Sequence, residues 1–183
     1  MASLEWATPA IFHATKTVLD NINKAQTKFL KFEGMNEVEA LINFKLAPLA
    51  LRRKFAILGL LHRCVIGDAP PQLCKLFPKV KANARSHNTR FGFKPEDTLL
   101  LDRTTGVNSK LLDRSIFGMV KFYNRLPESV KTTKLVSTFQ GKIQDATIGL
   151  CKKGMGIDEV CSLKWLEFPQ KKYAPVFECT KRK

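Results

Sequence analysis

Long apolar runs are missing from this sequence of 183 residues. A helix that crosses a bilayer needs roughly 18–20 predominantly apolar residues in succession. The longest relevant stretch, Phe55–Leu61, has seven residues and ends at His62. We therefore expect no membrane-spanning helix, and we interpret this stretch as part of a buried core.

Signals for export and for disulfide formation are missing too. Glu5 precedes any apolar run, no basic segment opens the chain, and the first arginine is Arg52. This layout is unlike that of a secretory or mitochondrial leader. The five cysteines are widely spaced and include no Cys-x-x-Cys pair. Such cysteines, without a secretory signal, are typical of reduced thiols, so we expect a protein that is not secreted.

The patterns that usually carry catalysis are also absent. No Tyr/Phe-x-Asp-Asp motif occurs, and this motif is the carboxylate pair with which a polymerase holds its metal ions. The acid pairs Glu96-Asp97 and Asp158-Glu159 stand in unrelated contexts. No histidine has the spacing of a zinc ligand, and no phosphate-binding loop or nucleophile motif is present. We expect a protein that is not an enzyme, with no cofactor, no metal and no small-molecule substrate.

Positive charge, in contrast, is abundant and unevenly distributed, with a formal net charge of +15. Residues 1–44 carry four lysines against five acids, a net of −1. Residues 45–95 carry eleven basic residues against Asp68 alone, a net of +10, and residues 96–183 carry sixteen against ten, a net of +6. A basic excess concentrated in one part of the chain favours an anionic polymer as partner. The alternative is a solvated basic face without a ligand.

The spacing of apolar residues predicts a first helix of about five turns. Pro9 suits its first turn and Gly34 its end, and Asn36 is expected to cap a short second helix. The stripe predicted to face the core consists of Ile11, Thr15, Val18, Ile22, Ala25 and Phe29. The same spacing occurs in coiled coils, but only about three heptads fit, so packing within the domain is the favoured interpretation.

A second long helix is predicted over Pro48–Ile66, before the break at Gly67. Its core stripe consists of Leu51, Phe55, Leu58, Leu61 and Val65. Another stripe, in which two arginines flank two small residues, consists of Arg52, Ala56, Gly59 and Arg63. Small residues at this spacing let a second backbone approach closely. We favour a neighbouring helix over a sugar–phosphate chain.

The segment after this helix has a loop composition and, over residues 78–95, no acid. We expect a basic loop or a small β-hairpin around residues 78–102, in which Thr98–Leu101 pairs with Arg90–Phe93. Two further helices are predicted, over Arg114–Arg125 and from Val136 to Ile148.

The predicted fold class is mainly α, an irregular multi-helix domain. Three parts are expected along the chain. They are an N-terminal helical segment (1–77), a basic connector with the loop or hairpin (78–112), and C-terminal helices with a basic tail (113–183).

Several short segments between Thr8 and Gln144, about three-quarters of the chain, form an ordered set of motifs. They are Thr8–Thr15, Leu19-Asp20, Gln26 before Phe29-Leu30, Leu46–Arg53, Leu58–Arg63, Gly67-x-x-Pro70 before Leu76-Phe77, Arg114–Phe117, Tyr123–Pro127 and Ser137–Gln140. In wording and order this set resembles the region downstream of the polymerase palm in non-LTR (LINE-type) retrotransposon polyproteins, of the kind found in dinoflagellate genomes. In two respects the chain differs from the wider class: Tyr123 stands where many members have tryptophan, and the C-terminal Cys/His zinc knuckle of some related polyproteins is missing.

The resemblance implies a helical accessory module that lies beside a reverse-transcriptase palm domain and binds template RNA or the RNA–DNA hybrid. Lys and Arg would neutralise phosphates without base specificity, and Phe91 or Phe93 would stack on an exposed base. The candidate contact residues are Arg52, Arg53, Arg63, Lys79, Lys81, Arg85, Arg90, Phe91, Phe93 and Lys94. The expected location is a nuclear or cytoplasmic ribonucleoprotein. The alternatives are a protein-interaction or structural fragment of a retrotransposon protein, and a translated remnant with no present activity.

Overall fold

The computed structural model describes residues 12, 14–80, 98–104, 112 and 115–167, and the structural statements below concern these residues. They form α-helices that we number α1 to α8 in chain order: Lys16–Phe32, Glu37–Phe44, Leu49–Ile66, Pro71–Cys74, Met119–Asn124, Glu128–Lys131, Val136–Lys152 and Ile157–Ser162. Short 3-10 helices, Ile116–Gly118 and Lys164–Glu167, precede α5 and follow α8. The predicted class, a mainly α multi-helix domain, is confirmed. Among the helices of this described part, none combines the length and the apolar character that crossing a bilayer requires.

The turn between α1 and α2 forms as its sequence predicts. Gly34 adopts a φ of +67°, a left-handed conformation that is strained for residues with a Cβ. Asn36 Oδ1 accepts a hydrogen bond from the Glu39 main-chain N–H at 2.8 Å, and Glu39 Oε2 accepts one from the Asn36 N–H at 3.0 Å. This reciprocal capping satisfies two main-chain donors at the start of α2.

The face that α1 buries differs from the predicted one. Its buried residues are Gln26 and Leu30, whereas Val18, Ala25 and Phe29 of the predicted core stripe are exposed. At about 100° per residue, the predicted stripe lies roughly 80° around the helix from Gln26. The stripe prediction is therefore wrong for α1, because a polar residue rather than the apolar stripe anchors this helix.

Gln26 ties α1 to the start of α3. Its Nε2 donates to the main-chain carbonyl of Ala47 at 3.1 Å, and its Oε1 accepts from the Leu49 N–H at 2.7 Å. The amide thus satisfies main-chain groups on both sides of Pro48, and only 3% of Gln26 is exposed. A buried amide is tolerated at such a site because its donor and its acceptor are both used.

Helix α3 lies at the centre of the fold and packs against α1, α5 and α7. Every residue of its predicted core stripe is buried, which confirms that prediction. The helix ends where expected, because Gly67 adopts a φ of +83°. Side chains from all three predicted parts of the chain contribute to one core, including Leu58, Leu100 and Phe139. The division of the chain into those parts stays a prediction.

The segment around residue 100 pairs with residues 78–80 and with the side chain of Asn124. Lys79 and Leu100 form an isolated antiparallel bridge, in which Val80 N–H donates to Leu99 O at 2.9 Å and Leu101 N–H to Pro78 O at 2.8 Å. The other edge of Leu100 is held by Asn124, whose side-chain amide accepts from the Leu100 N–H at 3.0 Å and donates to its carbonyl at 2.7 Å. Both edges are thereby occupied at Leu100. The predicted partner segment, Arg90–Phe93, lies outside the described residues.

The C-terminal half forms as short helices around α7. The helix predicted from residue 114 to 125 consists, in its described part, of the 3-10 turn and α5. The predicted helix from Val136 is α7, in which Phe139, Ile143 and Ile148 are buried as expected. Trp165 is buried too, and its Nε1 donates to the carbonyl of Val160 at 3.1 Å. This bond fixes the end of α8 against the 3-10 helix that follows.

Four cysteines lie in the described residues, and all four are free thiols. Cys64 and Cys151 are buried, as predicted for small apolar side chains, whereas Cys74 and Cys161 are half-buried. Burial raises the pKa of the Cys161 thiol to about 11 and also raises that of Cys151. These two thiols therefore stay protonated at neutral pH.

Candidate nucleic-acid interface

An open groove of about 670 Å³ lies beside the outward face of α3. Phe44 and Lys45, at the end of α2, line it together with Ala56 and Gly59 of α3 and Gln140 of α7. The small residues predicted to admit a second backbone are thus at the point where α3 and α7 meet.

Gly59 contacts α7 through a side chain. A Cβ placed on this glycine would lie 2.5 Å from Gln140 Nε2, which donates to the carbonyl of Phe55 at 3.2 Å. The element at this position is therefore a neighbouring helix, as in the favoured interpretation, but it approaches with the Gln140 side chain and not with its backbone. The space that remains above the contact is the groove.

A second open groove, of about 910 Å³, adjoins the first. Arg63 and Val136 line both grooves, and we call the two adjacent grooves together the basic groove. The second part is lined by the end of α3, by the α6–α7 connection at residues 132–135, and by Lys79.

The lining of the basic groove carries a strong excess of positive charge. Its cations are Lys45, Arg52, Arg63, Lys79, Lys131 and Lys134. Asp68 is the one acid among its described lining residues. Lys131 is buried, and its Nζ lies 3.3 Å from Glu128 Oε2. Lys45 Nζ lies 3.3 Å from Asp145 Oδ1. Arg63, Lys79 and Lys134 are exposed and present their charge to solvent.

The predicted contact residues separate into three groups. Arg52, Arg63 and Lys79 lie together in the basic groove. Arg53 does not line it. The rest, namely Lys81, Arg85, Arg90, Phe91, Phe93 and Lys94, lie outside the described residues.

Arg53 and the adjacent Lys54 make contacts within the fold. Arg53 Nη2 donates to Asn23 Oδ1 of α1 at 2.9 Å, and Lys54 Nζ donates to the main-chain carbonyl of Cys161. Burial lowers the pKa of both groups, and the charge of Asp20 partly offsets this for Arg53. Part of the basic excess of residues 45–95 therefore stabilises helix packing.

Sequence reasoning missed three cations and one exposed aromatic residue of the groove, namely Lys45, Lys131, Lys134 and Phe44. Phe44 is 66% exposed and is an aromatic residue in the lining of the basic groove. Lys45 has a left-handed φ of 54° at the end of α2, and Gln144 Nε2 donates to its carbonyl at 2.6 Å. Each of the four lies at or next to a helix boundary. Their position at helix boundaries was the signal that could have identified them. The prediction used only helix faces and the loop at 78–95.

A buried histidine holds the α6–α7 connection against α3. His62 Nε2 donates to the carbonyl of Thr133 at 2.7 Å, because a carbonyl can only accept. Nδ1 then accepts from the Tyr123 hydroxyl at 3.0 Å, and the ring stacks on Phe139 at 4.0 Å. Burial lowers the pKa of His62, so the neutral imidazole is favoured. The network positions the residues of the groove around Thr133.

Several residues that carry the resemblance have such intramolecular roles. Gln26, His62, Tyr123, Asn124 and Gln140 each join two segments that are distant in sequence. No group of three or more His, Cys, Asp or Glu side chains suited to a metal ion occurs among residues 14–80, 98–104 and 115–167. No protein-family model matches the chain, and no curated protein or solved structure is significantly similar to it.

Proposed function

We propose that this chain is a non-catalytic helical module that binds RNA or RNA–DNA backbone without base specificity, in the basic groove. The observation that carries the proposal is the lining itself, which contains six cations and one acid and in which Arg63, Lys79 and Lys134 present their charge to solvent. Cations that neutralise phosphates release condensed counterions, which supplies affinity that is independent of sequence. Helix α3 holds the main chain of Arg52 and Arg63, and the His62 network holds that of Thr133, next to Lys134.

The exposed ring of Phe44 bears on whether the nucleic acid is a single strand or a duplex. An exposed aromatic ring beside phosphate-binding cations is typical of sites for single strands, because every base has a face that stacks on it. In a duplex the bases already stack on one another. We therefore expect single-stranded RNA to bind more tightly than duplex RNA of the same sequence.

The resemblance supports a place for this module in a larger assembly. It would lie beside a reverse-transcriptase palm in a nuclear or cytoplasmic ribonucleoprotein, where it would hold template RNA while the palm performs the chemistry. The purified chain should then neither extend a primer nor nick DNA in the presence of Mg²⁺ or Mn²⁺. Template-dependent extension by a pure preparation would contradict the non-catalytic role.

Salt dependence tests the groove directly. Fluorescence anisotropy of several unrelated single-stranded RNAs should give similar affinities. A log–log salt slope of about −3 to −4 is expected if four to six phosphates are neutralised, at about −0.7 each. The variant Arg63→Gln, Lys79→Gln, Lys134→Gln should flatten this slope by about two units and should melt like the wild type, since all three residues are exposed.

A charge-matched control separates the groove from overall charge. Lys16→Gln, Lys24→Gln, Lys31→Gln removes three exposed lysines of α1, none of which lines the basic groove. The salt slope of this control variant should change much less than that of the groove variant. Equal effects of the two triple variants would contradict a groove site. Absence of binding at low salt by folded protein would favour the protein-interaction alternative.

The stacking role has its own pair of variants. Phe44→Ala should weaken binding of single strands by about 1–3 kcal/mol, the range for one base on an aromatic ring. Leu135→Ala removes an equally exposed apolar side chain from the same groove, without a ring, and should have a smaller effect. If both variants bind alike, the ring does not stack on a base.

A further inference from the structure

Helix α1 presents an apolar stripe that no part of the described fold buries. The stripe consists of Val18, Ile22, Ala25, Phe29 and Phe32. Phe32 is 87% exposed, Val18 48% and Phe29 47%, while Ile22 is half-buried. A single exposed apolar residue is ordinary, but a continuous stripe on one helix indicates an interaction surface.

The stripe is separate from the contact that anchors α1 in the fold. Gln26 and Leu30 make that contact, and the stripe lies roughly 80° around the helix from Gln26. The helix is thus fixed on one side and presents its apolar side chains on another. With Ile22 at position a of a heptad, Gln26 is at position e, so a partner helix would pack beside the Gln26 contact.

The spacing of the stripe specifies the kind of partner. Its residues are separated by four, three, four and three positions, the a/d pattern of a heptad, with Ile22 and Phe29 at a. Because packing within the domain uses other residues of α1, the interpretation that remains for this pattern is a second helix in a coiled-coil arrangement. A second copy of the chain supplies an identical stripe.

Charges beside the stripe favour two parallel helices. With Phe29 at a, Lys28 is at g and Glu33 is at e of the following heptad, and both residues are exposed. In a parallel pair, g of one helix lies next to that e of the other. The pairing places Lys28 of each copy against Glu33 of its partner, twice by symmetry.

The distribution of charge along the chain favours the same surface. Two copies with a net charge of +15 each repel one another. Residues 1–44, which contain α1, have a net charge of −1, whereas the following 51 residues have a net of +10. Two copies therefore repel each other less across residues 1–44 than across residues 45–95, although α1 itself carries four lysines against one acid, Asp20.

We propose that two copies of this chain associate through the α1 stripe as a short parallel coiled coil. The proposal goes beyond the nucleic-acid function and does not depend on it. It leaves the basic groove, which α1 does not line, accessible in both copies. A stripe this short buries less than about 1,200 Å² in total, so the dissociation constant should be micromolar or weaker.

Sedimentation equilibrium of the full chain, from low micromolar to several hundred micromolar, tests association without RNA. The wild type should convert reversibly from monomer to dimer. Phe32→Glu places a charge in the stripe and should raise the dissociation constant at least about tenfold. Phe44→Glu is the matched control, since it makes the same change at an exposed phenylalanine outside the stripe, and it should leave the dimer intact.

Charge reversal tests the parallel arrangement. Lys28→Glu and Glu33→Lys should each weaken the dimer several-fold, because each creates like charges across the pair. The double variant should recover most of the wild-type affinity. Lys24→Glu, on another side of α1, makes the same charge change outside the heptad flank and should have little effect.

Three outcomes would overturn the proposal. The first is a wild type that stays monomeric up to several hundred micromolar. The second is a dimer that tolerates Phe32→Glu. The third is a double charge variant that dissociates like the single ones, which would exclude the parallel pairing. Far-ultraviolet circular dichroism of each variant checks that the total helix content is unchanged, and thermal melting checks that the core is intact.

Discussion

Helices α3 and α1 have nearly the same length, yet they contribute very differently to the fold. Ten of the 18 residues of α3 are buried, whereas two of the 17 residues of α1 are. Both helices carry regular apolar stripes. The comparison shows that periodicity identifies side chains that share a face, but it does not identify the face that the core covers.

The difference has a physical cause in the surroundings of each helix. Helix α3 is contacted by α1, α5 and α7, so most directions around its axis lead to another element. Helix α1 lies at the edge, and its position is set by the amide of Gln26 and by Leu30. Gln26 and Leu30 thus define the side of α1 that faces the fold, and the apolar stripe stays on another side.

The largest expected effect is in the centre of α3. Leu58→Ala should lower the free energy of unfolding by about 2–5 kcal/mol, because it removes buried methyl groups and leaves a cavity. Phe32→Ala in α1 should change it by no more than about 0.5 kcal/mol, as for other exposed side chains. Urea unfolding at low micromolar concentration measures both values. Similar losses of unfolding free energy in the two variants would mean that other residues of the same chain cover the α1 stripe.

The next effect concerns the anchor of α1. Gln26→Ala should lower the free energy of unfolding by about 2–3 kcal/mol, because it leaves the Leu49 N–H and the Ala47 carbonyl buried without partners. Gln144→Ala also removes a hydrogen bond to a main-chain carbonyl, that of Lys45, but at a more exposed site. Gln144→Ala should lower the free energy of unfolding by less than about 1 kcal/mol. If Gln26→Ala costs no more than this control, α1 is anchored by apolar packing after all.

The smallest effect is a pH dependence that arises on α3. Burial holds the folded-state pKa of His62 below its usual 6.5, so the unfolded chain takes up a proton that the folded chain resists. The stability contributed by neutral His62 is fully present above pH 6.5. It is lost as the pH falls from there towards the folded pKa, at up to about 1.4 kcal/mol per pH unit.

The measurement is the free energy of unfolding between pH 7.5 and pH 5, for the wild type and for His62→Asn. The variant is less stable throughout, but its profile should be flatter over this interval. His13 and His87 are present in both proteins and cancel in the comparison. Equal slopes would show that other groups cause the pH dependence.

The candidate site was predictable in part, and particular residues show the limit. Arg52 and Arg63 were selected from one stripe of α3, and both line the basic groove. Arg53, one position along, is directed to Asn23 of α1 instead. Phe44 and Lys134 enter the groove because α2 ends and α7 begins there, and such positions depend on how the helices are placed in space.

The sequence by itself determined the main helices, the caps around residues 34–39 and 67, and the basic excess of residues 45–95. These follow from interactions between neighbours in the chain, such as the Asn36–Glu39 capping pair, the glycines at 34 and 67, and the leucine stripe of α3. Only the tertiary structure decided which face of α1 is buried, what pairs with Leu100, and which cations share a groove. Those outcomes depend on single polar side chains, Gln26, Asn124 and His62, that meet main-chain groups or side chains up to 71 residues away. No periodicity along the chain encodes contacts of that kind, because they form between segments that only folding brings together.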